Sequence, residues 1–156
     1  MNELVNPAWS SDWLWSVPLI ALTVTFHVWF MRIAYNAVLE IYRTRRNQGR
    51  LTTLRGGGLM IAFTVLATVA HGIEGTFWAL AYLALGALTS ARAAILYSFN
   101  ALTSFGHTNI GLADHWQLMG ALEALNGILL FGVSTAFMFR LIGQFEVAGD
   151  DRGLDR

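Results

Sequence analysis

Apolar residues run through this chain in long blocks rather than in short alternating strands, and most polar positions fall between the blocks. A helix needs about 20 largely apolar residues to cross the hydrocarbon core of a bilayer, and three stretches reach that length. The first covers residues 14–31 and continues as an amphipathic helix over 32–42, with Arg32 and Glu40 at a head-group interface. The second covers 57–85 and carries His71 and Glu74; the third covers 116–139 and carries Glu123 and Asn126. Between them lie residues 86–115, in which 91–102 is too apolar for a solvated loop and too short for a crossing. The pattern predicts a re-entrant segment, a short helix followed by non-helical backbone at membrane depth. Such backbone is tolerated only where protein buries it or where it lines a water-filled path. One copy cannot enclose such a path, so several copies are expected to gather around it.

Composition supports a membrane class: 55% of residues are hydrophobic and only 13% charged, too apolar a balance for an ordinary soluble domain. The fold class expected is therefore all-α, with three transmembrane helices and the re-entrant segment. All ten basic residues are arginine, and Arg43, Arg45, Arg46, Arg50 and Arg55 crowd into the connection between the first two spans. By the positive-inside rule that connection is cytoplasmic, which puts the N-terminus outside and the C-terminus inside a cell membrane. Trp9, Trp13 and Trp15 then form an outer aromatic anchor. A formal net charge of zero gives no case for nucleic-acid binding, and no soluble partner is evident. The absence of cysteine excludes disulfides and thiolate metal sites. Residues 1–12 lack the basic start of a cleaved signal, so the first span is expected to be retained. The organisation expected is a first helix with its arginine-rich loop (1–55), a core of helix, re-entrant segment and helix (56–142), and a disordered cytoplasmic tail (143–156). Gly56, Gly57 and Gly58 read as a flexible joint.

The residues of the re-entrant segment carry a family resemblance. Thr103, Ser104, Phe105, Gly106, His107, Thr108 and Asn109 resemble a divergent form of the Thr-Thr-Val-Gly-Tyr-Gly-Asp filter of tetrameric potassium channels, with 94–102 in the place of the pore helix. The third span, from Trp116 through Gly120, Glu123, Asn126 and Gly127 to Gly132, resembles the inner helix of small bacterial ion-channel proteins. So does the second span at His71, Glu74, Trp78, Ala81, Tyr82 and Gly86. The resemblance implies a potassium-channel-like homotetramer that passes monovalent cations such as potassium or sodium, and no enzymatic activity. It implies a filter built from residues 103–109, with the Ser104 hydroxyl at its innermost site. It further implies a gating hinge at Gly127 and a cavity and gate lined by Phe131, Thr135 and Phe139. No cofactor or metal is implied beyond the permeant ions.

The outer half of the filter departs from the family pattern: His107 replaces Tyr, Thr108 replaces Gly, and Asn109 replaces Asp. A β-branched Thr adopts positive φ only under strain, so the outer carbonyl rings are expected to be rearranged and the discrimination of potassium over sodium weakened. A non-conducting relative with a structural or sensory role is the alternative. His71 and Glu74, three residues apart, share a helix face, and ionisable groups at membrane depth need partners. Glu123 is the expected partner, in a polar contact that ties the second span to the third; a proton-sensing pair or a divalent-metal site, which His with carboxylates can form, is the functional alternative. His27 stands alone on the first span and is expected to serve packing. A reading from another class is a haem-binding electron carrier with His27 and His71 as axial ligands, which leaves the re-entrant segment without a purpose.

Histidine titrates near neutrality, so four His107 rings around one axis would repel cations once protonated. Current through the assembled protein should fall as the pH drops from about 8 to about 5.5, and His107→Asn should remove that dependence. Current that is unchanged over this range in native protein and variant alike contradicts the expectation.

Overall fold

A computed structural model describes residues 7–47, 53–106 and 110–150. These residues form helix α1 (Pro7–Asn47), α2 (Thr53–Ala84), α3 (Ala91–Leu102), a 3-10 turn (Asp114–Trp116) and α4 (Gln117–Asp150). Helices α1, α2 and α4 contain 41, 32 and 34 residues. At about 1.5 Å per residue each is longer than a hydrocarbon core of about 30 Å. Each contains a stretch long and apolar enough to cross a membrane: Ser10–Arg46, Gly57–Ala84 and Asp114–Phe145. Thr23, Thr64, Thr68 and Thr76 do not spoil these stretches, because each hydroxyl donates to a carbonyl one turn back in its own helix.

Helical segments up to His27 and from His71 to Phe131 pack as one compact unit, and those from Val28 to Ala70 and from Gly132 onward as a second. In the first, Trp78, Ala79 and Tyr82 of α2, Ala94, Tyr97 and Ala101 of α3, and Trp116 and Met119 form the apolar core. Tyr82 and Tyr97 meet edge to face, with ring centroids 5.3 Å apart. In the second, Met31, Tyr35, Val38 and Tyr42 of α1 pack with Leu59, Phe63 and Ala67 of α2 and Leu141 of α4. There the Arg140 guanidinium lies 5.2 Å over the Tyr35 ring.

Helix α3 belongs wholly to the first unit and has capped ends. Ser90 starts it, its hydroxyl accepting from the Ala93 amide. At the other end the Phe105 amide donates to the Asn100 carbonyl and the Ser104 amide to the Ala101 carbonyl, with Ser104 at φ 55°. This pair of bonds around a left-handed residue is a Schellman closure, here built on a serine rather than the usual glycine. Beyond it Gly106 is also left-handed, at φ 91°. The flanks of α3 are joined as well, since the Ala113 amide donates to the Ala87 carbonyl at 3.3 Å.

Two glycines of α4 let α3 approach. A Cβ on Gly127 would overlap the Leu102 backbone carbonyl, and one on Gly120 would overlap the Tyr97 hydroxyl. Gly127 is thus a seat for the end of α3, whatever its value as a hinge.

The elements differ from the sequence expectations at three places. Helix α1 continues to Asn47 and takes in Arg43, Arg45 and Arg46, which lengthens the helix and shortens the connection. Gly56, Gly57 and Gly58 lie inside the first turns of α2 rather than forming a joint. Glycine costs about 1 kcal/mol per residue in a helix, and propagation from the long apolar run behind it outweighs that. Helix α4 runs on to Asp150, where a disordered tail from 143 was expected. The Phe145 ring stacks on Tyr42 at 4.2 Å, and the Tyr42 hydroxyl donates to the Phe145 carbonyl, so residues past 142 have their own packing. Arg50, His107, Thr108, Asn109 and residues 151–156 lie outside the described residues.

The two kinds of glycine on α4 should behave oppositely. Gly127→Ala forces a methyl against backbone that cannot yield, and should destabilise the purified protein by about 1–3 kcal/mol in thermal or denaturant unfolding. Gly132, which has open space around its α-carbon, should tolerate alanine with no loss. Equal effects at the two positions would contradict this packing.

Candidate functional site

Polar side chains buried among apolar helices concentrate in the first unit, where they form two separate groups. The first holds α3 in place. Ser98 of α3 puts its Oγ 2.6 Å from the Gly75 carbonyl oxygen of α2 and 2.5 Å from Glu123 Oε1 of α4. Tyr82 of α2 donates its hydroxyl to the other carboxyl oxygen, Glu123 Oε2. Ser98 and Glu123 are fully buried, as is Tyr82. A serine has one proton to give, so it cannot serve both acceptors. A second proton, on the Glu123 carboxyl, completes both contacts and leaves the group neutral.

The second group joins α1 to α2. Glu74 accepts from both histidines: His27 Nδ1 lies 2.7 Å from Oε1 and His71 Nδ1 lies 3.0 Å from Oε2. His27 and Glu74 are completely enclosed, and the His71 ring stacks on Phe131 of α4 at 4.2 Å. The two imidazole centroids are 4.9 Å apart.

Helix α1 is held to this unit by polar contacts along one side. Asp12 accepts from the Met119 amide, in the first turn of α4, where backbone donors have no partner within the helix. Thr23 accepts from Asn126 Nδ2 at 2.8 Å. With Ser16 and His27, which are also buried, these residues follow spacings of 4, 7 and 4 and so share one helix face.

The sequence-derived site residues divide accordingly. His71 and Glu74 are in contact as expected, but their further partner is His27 and not Glu123. Glu123 is bonded to Ser98 and Tyr82 instead. His27, expected only to pack, is therefore one of the three clustered donors; its place near the middle of an apolar span was the signal that it needs a polar partner. Nor do His27 and His71 form an axial pair. Axial ligands point at each other across an iron, whereas these two Nδ1 atoms converge on one carboxylate.

Thr103, Ser104, Phe105 and Gly106 are exposed, Phe105 to 84%. Thr103 (φ −85°, ψ −2°) and Ser104 form the cap of α3, not the start of an extended strand. The reason is local: the cap bonds engage the carbonyls of Phe99, Asn100 and Ala101, which the helix would otherwise leave open. A filter-like run of carbonyls can then begin only at Phe105. The outer filter residues His107, Thr108 and Asn109 are outside the described residues. On α4, Thr135 and Phe139 belong to an exposed stripe with Leu125, Ile128 and Gly132, spaced at three to four residues. Phe131 lies at the edge of that stripe and is committed to His71.

No family model matches this chain, and no curated protein or solved structure shows similarity to it.

The Ser98, Tyr82 and Glu123 group generates a direct expectation. Glu123→Gln keeps a donor for Ser98 and an acceptor for Tyr82, so thermal unfolding of the purified protein should stay near that of the native chain. Glu123→Ala leaves the buried Tyr82 hydroxyl without its acceptor, leaves Ser98 only the Gly75 carbonyl and opens a cavity, and should cost about 3 kcal/mol or more. A glutamine variant as damaged as the alanine variant would show that Glu123 acts here through its charge.

Proposed function

We propose that this chain assembles with copies of itself, as a homotetramer in a cell membrane, into a pore for monovalent cations. The observation that carries the reading is α3. It is a 12-residue helix, about 18 Å long and too short to cross, and buried bonds to α2 and α4 hold it among helices that can. Its C-terminal end opens onto exposed non-helical backbone at Thr103 to Gly106. In an apolar setting such backbone needs an aqueous path or another protein surface. A helix C-terminus directed at that path favours a cation, and carbonyls from Phe105 onward offer it oxygen ligands.

The exposed stripe of α4 supports the same reading. Leu125 and Ile128 are more than half exposed, and Phe139 is 70% exposed, along a helix long enough to cross a membrane. In the proposed assembly this face turns toward the axis and the neighbouring copies, with Thr135 and Phe139 at the cytoplasmic side of the cavity. The arginine-rich connection sets the orientation, with the N-terminus outside and the C-terminus inside. The filter departs from the potassium pattern at His107, Thr108 and Asn109, so potassium passes with reduced preference over sodium.

The reading is tested in planar bilayers with potassium on one side and sodium on the other. The native protein should conduct with a reversal potential displaced toward potassium, and Thr108→Gly should enlarge the displacement. Absence of current from the native chain, with current gained by Thr108→Gly combined with His107→Tyr, would instead mark a non-conducting pore fold. Absence of current from every variant overturns the proposal.

A further inference from the structure

The group formed by His27, His71 and Glu74 is not used by the proposed pore. These residues lie near the middle of apolar helices, where a carboxylate and two imidazoles are costly to keep. From this geometry we infer that they form a binding site for one divalent transition-metal ion of the zinc type, separate from the permeant cations.

The donor set is the first argument. Imidazole nitrogen with carboxylate oxygen suits zinc and its first-row neighbours, whereas alkali cations prefer a full cage of oxygens. Sodium or potassium in the pore would therefore not compete for these nitrogens. Geometry is the second. One donor atom from each of the three residues lies within 4.8 Å of the others. A tetrahedral ion with bonds of about 2.0–2.2 Å sets its ligand atoms about 3.3 Å apart. The present Nδ1 to carboxylate distances of 2.7 and 3.0 Å fall short of that spacing by less than about 1 Å. To ligate through Nδ1, each neutral imidazole would carry its one proton on Nε2, so binding the ion needs a change of tautomer and no net loss of protons from the rings.

Orientation completes the case. His71 is fixed by its stack on Phe131 and by its place three residues before Glu74 on the same helix, so little side-chain freedom is lost on binding. His27 arrives from α1, so the ion would bridge α1 and α2. The three side chains would leave a fourth position of a tetrahedral ion for a ligand from solvent. Chelators should remove the ion slowly, because His27 and Glu74 have no exposed surface and His71 has little.

The inference does not depend on conduction, and metal content is its readout. The full chain, produced with zinc in the growth medium, purified in detergent and passed over a chelating resin, should retain one zinc per chain by elemental analysis. X-ray absorption at the zinc edge should show two imidazoles with oxygen ligands. His71→Asn and Glu74→Gln should each weaken binding by more than about 100-fold, beyond what the loss of an outer-shell partner produces. His115→Asn, which alters an exposed histidine elsewhere, should bind as the native chain does. Native chain produced with zinc should also melt at a higher temperature than native chain produced without it, and Glu74→Gln should show no such difference. Native protein without zinc, zinc without imidazole in its first shell, or retention undiminished in folded His71 and Glu74 variants overturns the site. Because the native chain supplies the elemental and absorption measurements, a variant that fails to fold leaves the test intact.

Discussion

The contact of Ser98 with Glu123 and with the Gly75 carbonyl is the constraint on which the rest of the structure depends. It is made from three helices at once, and all its atoms are shut away from water. Hydrogen bonds of this kind contribute modestly when formed and cost several times more when one partner is missing. That asymmetry makes the position of α3 specific. An apolar contact in place of Ser98 would let α3 slide or turn against its neighbours; the serine allows one register. Gly127 and Gly120 then set the depth, because each removes the side chain that would keep α3 away from α4. With α3 fixed, its Schellman closure leaves Phe105 and Gly106 exposed at a defined place.

Helix α1 is part of the same construction rather than an appendage to it. Asp12, Ser16, Thr23 and His27 put a buried polar stripe on a helix that is otherwise apolar enough to cross a membrane. Three of these four residues bond to α2 or α4. Without α1, the Met119 amide, the Asn126 amide and one oxygen of Glu74 would each lose a partner. Through these contacts α1 supplies partners to buried polar groups of α2 and α4.

The long helices and the boundaries of α3 were legible in the sequence because apolar length and the break at Gly86 determine them almost alone. Polar pairings were not. Spacing within a helix placed His71 beside Glu74 correctly, but the rotation of one helix against another decides which remote residue completes the group, and no local pattern encodes it. Glu123 therefore went to the wrong partners, and His27 was undervalued. The stripe of Asp12, Ser16, Thr23 and His27 was available as a signal, since its spacings of 4, 7 and 4 trace one face of a helix. The cap at Thr103 and Ser104 was hidden for another reason. A serine in the left-handed position has no sequence mark comparable to glycine, so residues that look like the start of a filter end a helix instead.

The central claim is that copies of the chain gather around one axis with the segment after α3 at its centre. The chain has no cysteine, so Phe105→Cys gives a single, exposed site for a spin label. Pulsed dipolar spectroscopy in lipid nanodiscs measures the separations between labels directly. The account predicts two short distances related as the side and the diagonal of a square. A sample with no intermolecular distance, or with the single distance of a dimer, would contradict it.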